Sequence, residues 1–335
     1  MILVTGGTGL VGAHLLVHLL KKRETVRAIH RKDSNLQQVK KVFSYYEENF
    51  EALFAKIEWV EADITDIPSL EIAFKDITYV YHCAALISFD PNTYFTLKNT
   101  NTKGTANIVN LCLAHNIKKL GYLSSIATIG KNEASPIVTE ENDWNDTNVN
   151  VYALTKYTAE MEVWRGTQEG LDAVIINPGV ILGPGFWHSG SGQFFSKTAK
   201  GLSYYPPNGS GFIAVDDVVR MIVTLMESPI KNENYIAVAE NLKHKVILTK
   251  IAAALGKPAP RKPLKIWQLT VLYKLDWLVH LLTRRGRKLS KMQVHGLKRQ
   301  EIYSNTKIKE AIKFEFTDLD PVIRFTSGRF LEEYP

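Results

Sequence analysis

The first 180 residues alternate two kinds of sequence, and this alternation limits the folds that the chain can adopt. Short apolar runs rich in β-branched and aromatic residues are separated by longer amphipathic stretches. The runs are ILVT (2–5), TVRAIH (25–30), KIEWV (56–60), YVYHCAA (79–85), KLGYLSS (119–125) and AVIIN (173–177). Strands of this kind alternating with helices predict a parallel sheet covered on both faces. Right-handed crossovers then give a doubly wound α/β domain.

A glycine turn joins the first predicted strand to the first predicted helix, in the sequence TGGTGLVG (5–12). Gly6, Gly9 and Gly12 allow a tight turn, close approach of the backbone to a pyrophosphate, and close packing of helix on strand. The helix then opens at Leu10 and Val11, where backbone N–H groups and the helix dipole favour phosphate. A glycine triplet in this strand-to-helix context predicts a Rossmann dinucleotide-binding domain.

The residue composition changes after Pro178, and this change suggests the domain boundaries. Residues 179–211 are rich in Gly, Pro and aromatic residues, which predicts loops with one short helix near 192–200. We assign 1–178 to the dinucleotide-binding domain, with 211–237 returning to it, and 179–210 and 238–335 to a smaller, irregular substrate-binding region.

The residues after the second strand indicate which dinucleotide binds. An NAD site usually carries an acid there for the ribose 2′-hydroxyl, whereas this strand ends in AIHRK (28–32). Arg31 could clamp a 2′-phosphate with two parallel hydrogen bonds. Asp33 comes slightly late for the acidic role. NADP(H) is therefore favoured, and NAD(H) is the alternative.

A tyrosine and a lysine one helical turn apart form a candidate proton-transfer pair, Tyr152 and Lys156. The same spacing occurs at Tyr94–Lys98 and Tyr303–Lys307, so spacing alone selects nothing. The fifth strand ends in Ser124 and Ser125. The helix that carries Tyr152 follows that strand, and ligands of open parallel sheets bind at the carboxyl ends of strands. Position in the fold therefore selects Tyr152.

These three side chains suit hydride-transfer chemistry. Positive charge on Lys156 and on an oxidised nicotinamide would lower the pKa of Tyr152 from its ordinary value near 10. Tyr152 would give its proton to a carbonyl oxygen. Ser125 would hold that oxygen where negative charge develops, with Ser124 as support.

The chain resembles the extended short-chain dehydrogenases/reductases, the NAD-dependent epimerase/dehydratase superfamily, over essentially its whole length. The matching pieces are TGGTGLVG, Asp63-Ile64, HCAA (82–85), NTNTKGTAN (99–107), SSIA (124–127), YALTK (152–156), NPGVILGPG (177–185) and VDDV (215–218). HCAALISF and the basic, Trp-containing C-terminal segment are most similar to the branch of dihydroflavonol 4-reductases and 3β-hydroxysteroid dehydrogenases.

The resemblance implies further contacts. They are Asp63 and Ile64 beside the adenine, Ala84 and Ala85 along the cofactor, and Pro178, Gly179 and Val180 against the nicotinamide. Asn101 would support the active site through hydrogen bonds, and Lys156 would also hold the ribose. Dehydratases of nucleotide sugars typically carry an Asp-Glu pair where Ile126 and Ala127 stand, which argues against elimination.

The sequence therefore predicts an NADP-preferring reductase of a bulky, apolar ketone or aldehyde, with Phe89, Phe186 and Gly192 in the substrate pocket. Trp187 and Phe195 are further candidates for its walls. An NAD-dependent nucleotide-sugar epimerase and a non-catalytic dinucleotide-binding protein are the alternatives. No metal site is expected, because His14 and His18 lack a third ligand.

Charge and cysteine usage bear on partners and compartment. The net charge of +7 is uneven, because residues 257–313 contain 15 Lys and Arg against three acids. No nucleic-acid-binding motif accompanies this charge, so nucleic acid is not an expected partner. Cys83 and Cys112 predict buried, reduced thiols. Together with the absence of a signal-peptide pattern, they lead us to expect a cytoplasmic protein.

The apolar stretch 266–282 is interrupted by Lys274, Asp276 and His280, which argues against a membrane span. It is followed by the basic cluster Arg284–Lys288. One hypothesis is an interfacial helix on anionic lipid. The favoured interpretation is a pocket wall or subunit contact, with a homodimer left open.

Overall fold

The structure is a computed structural model that describes residues 1–22, 25–131, 135–146, 149–283 and 300–335. The strands are β1 Ile2–Thr5, β2 Val26–His30, β3 Ile57–Glu61, β4 Tyr79–His82, β5 Lys119–Leu123, β6 Ile137–Val138, β7 Ala173–Pro178, β8 Val180–Leu182, β9 Tyr204–Tyr205, β10 Gly209–Ala214, β11 Glu233–Ala237, β12 Glu240–Lys243, β13 Lys262–Pro263 and β14 Ile302–Tyr303. The α-helices are α1 Leu10–Lys22, α2 Leu36–Ser44, α3 Phe50–Phe54, α4 Ile67–Phe74, α5 Tyr94–Leu97, α6 Gly104–Ala114, α7 Val151–Gln168, α8 Gly192–Ala199, α9 Val215–Glu227, α10 His244–Ala254, α11 Ile266–Thr283, α12 Thr306–Ile312 and α13 Leu319–Glu333. A π-helical turn, Lys98–Lys103, lies between α5 and α6.

The largest sheet confirms the predicted fold. Its seven described strands run in the order β11-β7-β5-β4-β1-β2-β3, and all neighbours are parallel. The chain moves outward from β1 to β3 on one side and from β4 to β11 on the other. The carboxyl ends of β1 and β4 therefore flank the point where the strand order reverses, which is where such sheets bind ligands.

Two apolar layers cover the sheet because alternate strand residues face opposite sides. Val4 and Ile176 belong to a layer formed with α1, α2 and α9. Leu3 and Ile175 belong to the other, formed with α4, α6 and α7. Burial on both faces explains why the strands are continuous apolar runs in the sequence.

The smaller part of the molecule has its own sheet and core. Strands β8, β10 and β12 form a three-stranded sheet, and apolar residues of α8, α10 and α13 pack in a cluster with Leu182 and Phe212. Strand β11 lies beside β7 in the large sheet, whereas β10 lies in the small one. Residues 211–237 thus contribute to both sheets.

Helix α11 differs from the other long helices because most of its apolar side chains are exposed. Leu269 is the one residue of this helix that is buried. No helix within the described part of the chain is long and apolar enough to cross a membrane. The basic cluster Arg284–Lys288 lies outside the described residues.

Candidate active site

The glycine turn has the geometry of a phosphate cradle. Gly6 has a φ of +69°, which side-chain-bearing residues rarely adopt, and the Gly9 N–H donates to its carbonyl at 3.0 Å. A Cβ on Gly12 would lie 2.1 Å from that same oxygen, so only glycine lets α1 start this close to the turn. A Cβ on Gly9 would meet only the Gly6 oxygen, at 3.4 Å. The space beside Gly9 and the N–H groups opening α1 at Leu10 and Val11 therefore fit a pyrophosphate.

The other predicted cofactor residues lie along the same sheet edge. Ala84 and Ala85 follow β4, and the Ala84 N–H donates to the Thr5 hydroxyl at 3.3 Å. Pro178 ends β7, and Gly179 and Val180 follow it. The structure therefore brings together segments that are almost 100 residues apart in the chain.

The segment after β3 is fixed by local hydrogen bonds. The Asp63 carboxylate accepts from the Thr65 N–H at 2.8 Å and from its hydroxyl at 2.7 Å. The Asn107 amide donates to the Ile64 carbonyl at 3.0 Å. Both Asp63 and Ile64 thus stand at the carboxyl edge, in a turn with a defined shape.

Arg31 follows β2 directly and is exposed. Its backbone N–H donates to the Ser34 hydroxyl at 3.0 Å, which shapes the turn. Its guanidinium makes no hydrogen bond or ion pair with any residue that the structure describes. The guanidinium donors of Arg31 are therefore free of described protein partners at the carboxyl end of β2.

Ser125 and Tyr152 are held by the turns that begin at the ends of two elements. Ser125 caps a short 3₁₀ turn after β5, and its Oγ accepts from the Ala127 N–H at 3.1 Å. Tyr152 lies in the first turn of α7, which Asn150 caps by accepting from the Ala153 N–H at 2.9 Å. The Ser125 hydroxyl lies close enough to Tyr152 to lower the pKa of its phenol.

The protonation of Tyr152 differs from the sequence-based expectation. Burial raises the pKa of Tyr152 to about 12, and the neighbouring Ser125 hydroxyl only partly opposes this. Lys156 does not lower it, because its ammonium donates to the Tyr122 hydroxyl at 2.8 Å and to the Leu123 carbonyl at 2.9 Å. Tyr152 is therefore protonated at neutral pH, which is the form that a proton donor needs.

Lys156 is one of the most buried charged groups of the described chain, at 1% exposure. Burial lowers its pKa to about 7, and the nearby carboxylate of Glu160 raises the pKa in opposition. Its ammonium lies 4.4 Å from the centroid of the Tyr122 ring, which adds a cation–π contact. The charge of Lys156 therefore depends on its neighbours near neutral pH.

Glu160 is a functional candidate that the sequence reasoning missed. It is buried one turn after Lys156 on α7, and its Oε2 accepts hydrogen bonds from Ser124, Thr128 and Asn177. The carboxylate thus joins α7 to the residues that follow β5 and to β7. The sequence did contain one indication of this role, an acid four residues after Lys156 on the same helix face.

His82 lies beneath Lys156 in a fixed orientation. Its Nδ1 is 2.6 Å from the Thr5 hydroxyl, and its Nε2 is 3.0 Å from the Thr105 hydroxyl. Burial, with a smaller effect of the Lys156 charge, lowers the pKa of His82 to about 3. The neutral ring stacks on Tyr122, with centroids 5.4 Å apart, and so supports the acceptor of Lys156.

Asn101 lies in the π-helical turn, a distortion often found near functional sites. Its amide accepts from the Leu86 N–H at 2.7 Å and donates to the Leu86 carbonyl at 3.0 Å. It also donates to the Thr155 hydroxyl at 3.3 Å. Asn101 therefore ties the segment after β4 to the helix of Tyr152 and Lys156.

The predicted substrate residues occupy different environments. The ring of Phe89 meets that of Tyr152 edge-on, with centroids 5.6 Å apart. Gly192 is buried at the start of α8, where a Cβ would lie 2.1 Å from the Phe186 carbonyl oxygen. Trp187 and Phe195 lie inside the core of the smaller part, so they are not exposed pocket walls.

The two other tyrosines with a lysine four residues later, and the histidines of α1, lie outside the candidate active site. Tyr94 begins the short helix α5, and Tyr303 lies on β14, which pairs with β6 outside the large sheet. His14 is buried on α1, with its Nδ1 2.8 Å from the Leu10 carbonyl. Among the described residues, no cluster of side chains could hold a metal ion.

A doubly wound sheet with a phosphate cradle, and a serine, tyrosine and lysine at its carboxyl edge, defines a nicotinamide-dinucleotide enzyme of the short-chain dehydrogenase/reductase type. Residues 2–238 match the family model described as the NAD dependent epimerase/dehydratase family. The chain belongs to this family and is an extended short-chain dehydrogenase/reductase.

Comparisons with individual proteins agree with this assignment. The chain is 33% identical over 244 residues to tetraketide alpha-pyrone reductase 2 of Arabidopsis thaliana, covering 68% of this chain and 74% of the relative. It is 29% identical to a putative dihydroflavonol 4-reductase of Synechocystis sp., covering 79% and 75%. UDP-glucose 4-epimerase from Thermotoga maritima shares the fold, with a TM-score of 0.78, 21% identity, and coverage of 100% of this chain and 99% of that one.

Proposed function

We propose that the protein is an NADP-preferring oxidoreductase that reduces a ketone or aldehyde of an apolar small molecule. The observation that carries this proposal is the buried, protonated Tyr152 at the carboxyl edge of the sheet, with the Ser125 hydroxyl close enough to affect its pKa. The names of two relatives, a tetraketide alpha-pyrone reductase and a putative dihydroflavonol 4-reductase, support reduction as the reaction.

Each side chain has one task in this mechanism. Tyr152 donates its proton to the substrate carbonyl oxygen, and the Ser125 hydroxyl donates a hydrogen bond to the same oxygen as negative charge develops on it. The charged ammonium of Lys156 would bind the ribose hydroxyls of the cofactor, which a neutral amine holds less strongly. Phe89 provides an apolar ring beside Tyr152, which favours apolar substrates. The nicotinamide, when bound, supplies the hydride to the carbonyl carbon.

A spectrophotometric assay distinguishes the reductase from its alternatives. NADPH is supplied with a panel of aldehydes and ketones that includes a dihydroflavonol, and UDP-glucose is tested as a separate substrate. The proposal expects consumption of NADPH with at least one carbonyl compound and no conversion of UDP-glucose. Conversion of UDP-glucose to its C4 epimer without net cofactor oxidation would identify the epimerase alternative instead. Binding of dinucleotide without turnover of any compound would favour a non-catalytic protein.

Arg31 is proposed to bind the 2′-phosphate of NADP(H), and reversing its charge should change the preference for NADPH over NADH. In Arg31→Glu, the dissociation constant of NADPH should rise about 10- to 100-fold, because a charge-assisted bidentate contact is lost and repulsion is added. That of NADH should change by less than about threefold. Both are measured by nicotinamide fluorescence titration.

Lys75→Glu is the matched control, because Lys75 is exposed and precedes β4, at the opposite edge of the sheet. It should leave both dissociation constants unchanged. An Arg31→Glu variant that retains its preference for NADPH would remove Arg31 from the proposal.

Glu160 is the proposed positioning residue for the charge of Lys156. Glu160→Gln should lower the pKa of Lys156, since the carboxylate that raises it is gone. Lys156 is charged below its pKa, so the rate should fall as pH rises through that value. In the variant this fall should move to lower pH, and kcat/KM at pH 7 should drop by roughly tenfold.

The pH profile of kcat/KM separates this role from a purely structural one. Glu160→Asp keeps the charge and should return the profile toward that of the wild type. Glu162→Gln removes a carboxylate from the surface of the same helix, where it pairs with Arg165, and should leave the profile in place. A Glu160→Gln enzyme that is slower but has an unshifted profile would contradict the proposed role.

A further inference from the structure

The apolar side chains of helix α11 are turned toward solvent. Nine of them are between 44% and 75% exposed: Trp267, Val271, Leu272, Leu275, Trp277, Leu278, Val279, Leu281 and Leu282. A contiguous apolar surface of this kind is rare on a soluble monomer and marks an interaction site. Of the two favoured sequence-based interpretations, a pocket wall does not account for this exposure, whereas a subunit contact does.

The face of α11 that turns toward the protein is the more polar one. Most half-buried positions recur every three or four residues, at Ile266, Thr270, Tyr273, Asp276 and His280, and the buried Leu269 lies among them; Gln268 is also half-buried. The helix is therefore amphipathic in the opposite sense from a helix that packs on a protein core. This pattern fits a helix whose apolar side faces a medium other than water or the rest of the chain.

Basic residues surround the start of this helix and reach its middle. Lys257, Arg261, Lys262, Lys265 and Lys274 are all exposed. Asp276 is the one acid among residues 257–283 of the sequence, and it lies on the half-buried face. Exposed apolar side chains flanked by positive charge match the surface of an anionic bilayer.

The charge also argues against a second copy of the chain as the partner. Contact between two copies of this surface would bring two basic surfaces together, which costs free energy. A helix that crosses the bilayer is excluded by the charges of Lys274 and Asp276 near its midpoint. A helix lying in the headgroup region accommodates them, because lysine side chains reach outward to the phosphates.

We propose that α11 and the exposed basic residues around it form a peripheral membrane-binding surface for anionic lipid. The apolar side chains enter the boundary between headgroups and acyl chains, with Trp267 and Trp277 at that boundary. The lysines and arginines contact lipid phosphates. None of its residues belongs to the set proposed for catalysis, so the surface would place the reaction at a membrane without taking part in the chemistry.

Co-sedimentation of the full chain with vesicles tests this proposal. Vesicles of phosphatidylglycerol and phosphatidylcholine in equal parts should bind the protein at low salt, and vesicles of phosphatidylcholine alone should bind it far less. Leu275→Glu should lower binding to the anionic vesicles by about tenfold or more, because it removes apolar area and adds a repelled charge. Its titration with NADPH should stay unchanged, which verifies folding.

Ile72→Glu is the matched control, because Ile72 on α4 is 70% exposed and lies on another element. It should bind vesicles as the wild type does. Brominated lipid should quench the wild-type tryptophan fluorescence, and the double variant Trp267→Phe/Trp277→Phe should lose that quenching.

Three results would overturn the proposal. One is no binding to the anionic vesicles at low salt, and another is equal loss of binding in Leu275→Glu and Ile72→Glu. The third is a dimer in light scattering that Leu275→Glu converts to monomer while neither form binds vesicles. That result would assign the surface to a second copy of the chain.

Discussion

Replacing Tyr152 by phenylalanine is expected to lower kcat for carbonyl reduction by about 10²- to 10⁴-fold, the usual contribution of a positioned acid. The phenyl ring can keep the edge-on contact with Phe89, so the fold and the apolar wall persist. The dissociation constant of NADPH should therefore change by less than about threefold. Steady-state kinetics and fluorescence titration on the same preparation measure the two effects separately.

The control for this variant uses the second tyrosine–lysine pair of the sequence. Tyr94→Phe alters a tyrosine with the same spacing to a lysine, on the short helix α5. It should retain wild-type kcat, because the strand that precedes α5, β4, ends in His82 rather than in a serine. A fully active Tyr152→Phe enzyme would refute the proposed acid, and a comparable loss in Tyr94→Phe would show that the spacing had selected the wrong residue.

Gly12→Ala is expected to destabilise the protein by about 2–3 kcal/mol and to abolish dinucleotide binding. Its methyl group would lie 2.1 Å from the Gly6 carbonyl oxygen, a backbone atom that cannot move without opening the turn. The start of α1 would shift away from β1 and carry its N–H groups with it. Urea unfolding and NADPH titration measure the two losses.

Two other glycines separate crowding of the turn from the general effect of an added methyl group. Gly9→Ala should fold normally but raise the dissociation constant of NADPH by roughly tenfold or more, because its methyl group fills the space for the pyrophosphate. Gly328→Ala, exposed within α13, meets no atom within 4 Å. It should gain about 0.5–1 kcal/mol of stability. A Gly12→Ala protein that binds NADPH normally would contradict the cradle.

The large sheet could be predicted because its information is local. Five of the six runs predicted as strands are mostly buried, and the sixth is the half-buried edge strand β3. Strands β1, β2 and β7 differ from prediction by at most one residue at either end. The pairing of β6 with β14 and of β9 with β13 could not be predicted. These strands have two residues each, and their partners come from distant parts of the chain.

The candidate site was predictable where its residues belong to a recurring local pattern. Ser125, Tyr152 and Lys156 follow from position relative to strand ends. The protonation of Tyr152 could not be predicted in this way. It depends on burial and on the direction of the Lys156 ammonium, which Tyr122 and the Leu123 carbonyl set. The role of Glu160 depends on its contacts with Ser124, Thr128 and Asn177, which form only when the chain folds.

Helix α11 shows why composition does not determine orientation. Its apolar residues in sequence suit a buried helix and a lipid-bound helix equally. The packing of the half-buried face around Leu269 decides which side remains outside. The pocket-wall interpretation assumed that apolar residues turn inward, and for this helix most do not.

The central claim is an oxidoreductase that exchanges NADP(H) with solution at each turnover. Its most direct test is to assay the purified protein for retained nucleotide and then titrate it with NADPH and NADH by nicotinamide fluorescence. The account predicts no tightly retained nucleotide and a dissociation constant for NADPH at least about tenfold below that for NADH. Tightly retained NAD would contradict it, because hydride would then return to the substrate it came from, as an epimerase requires.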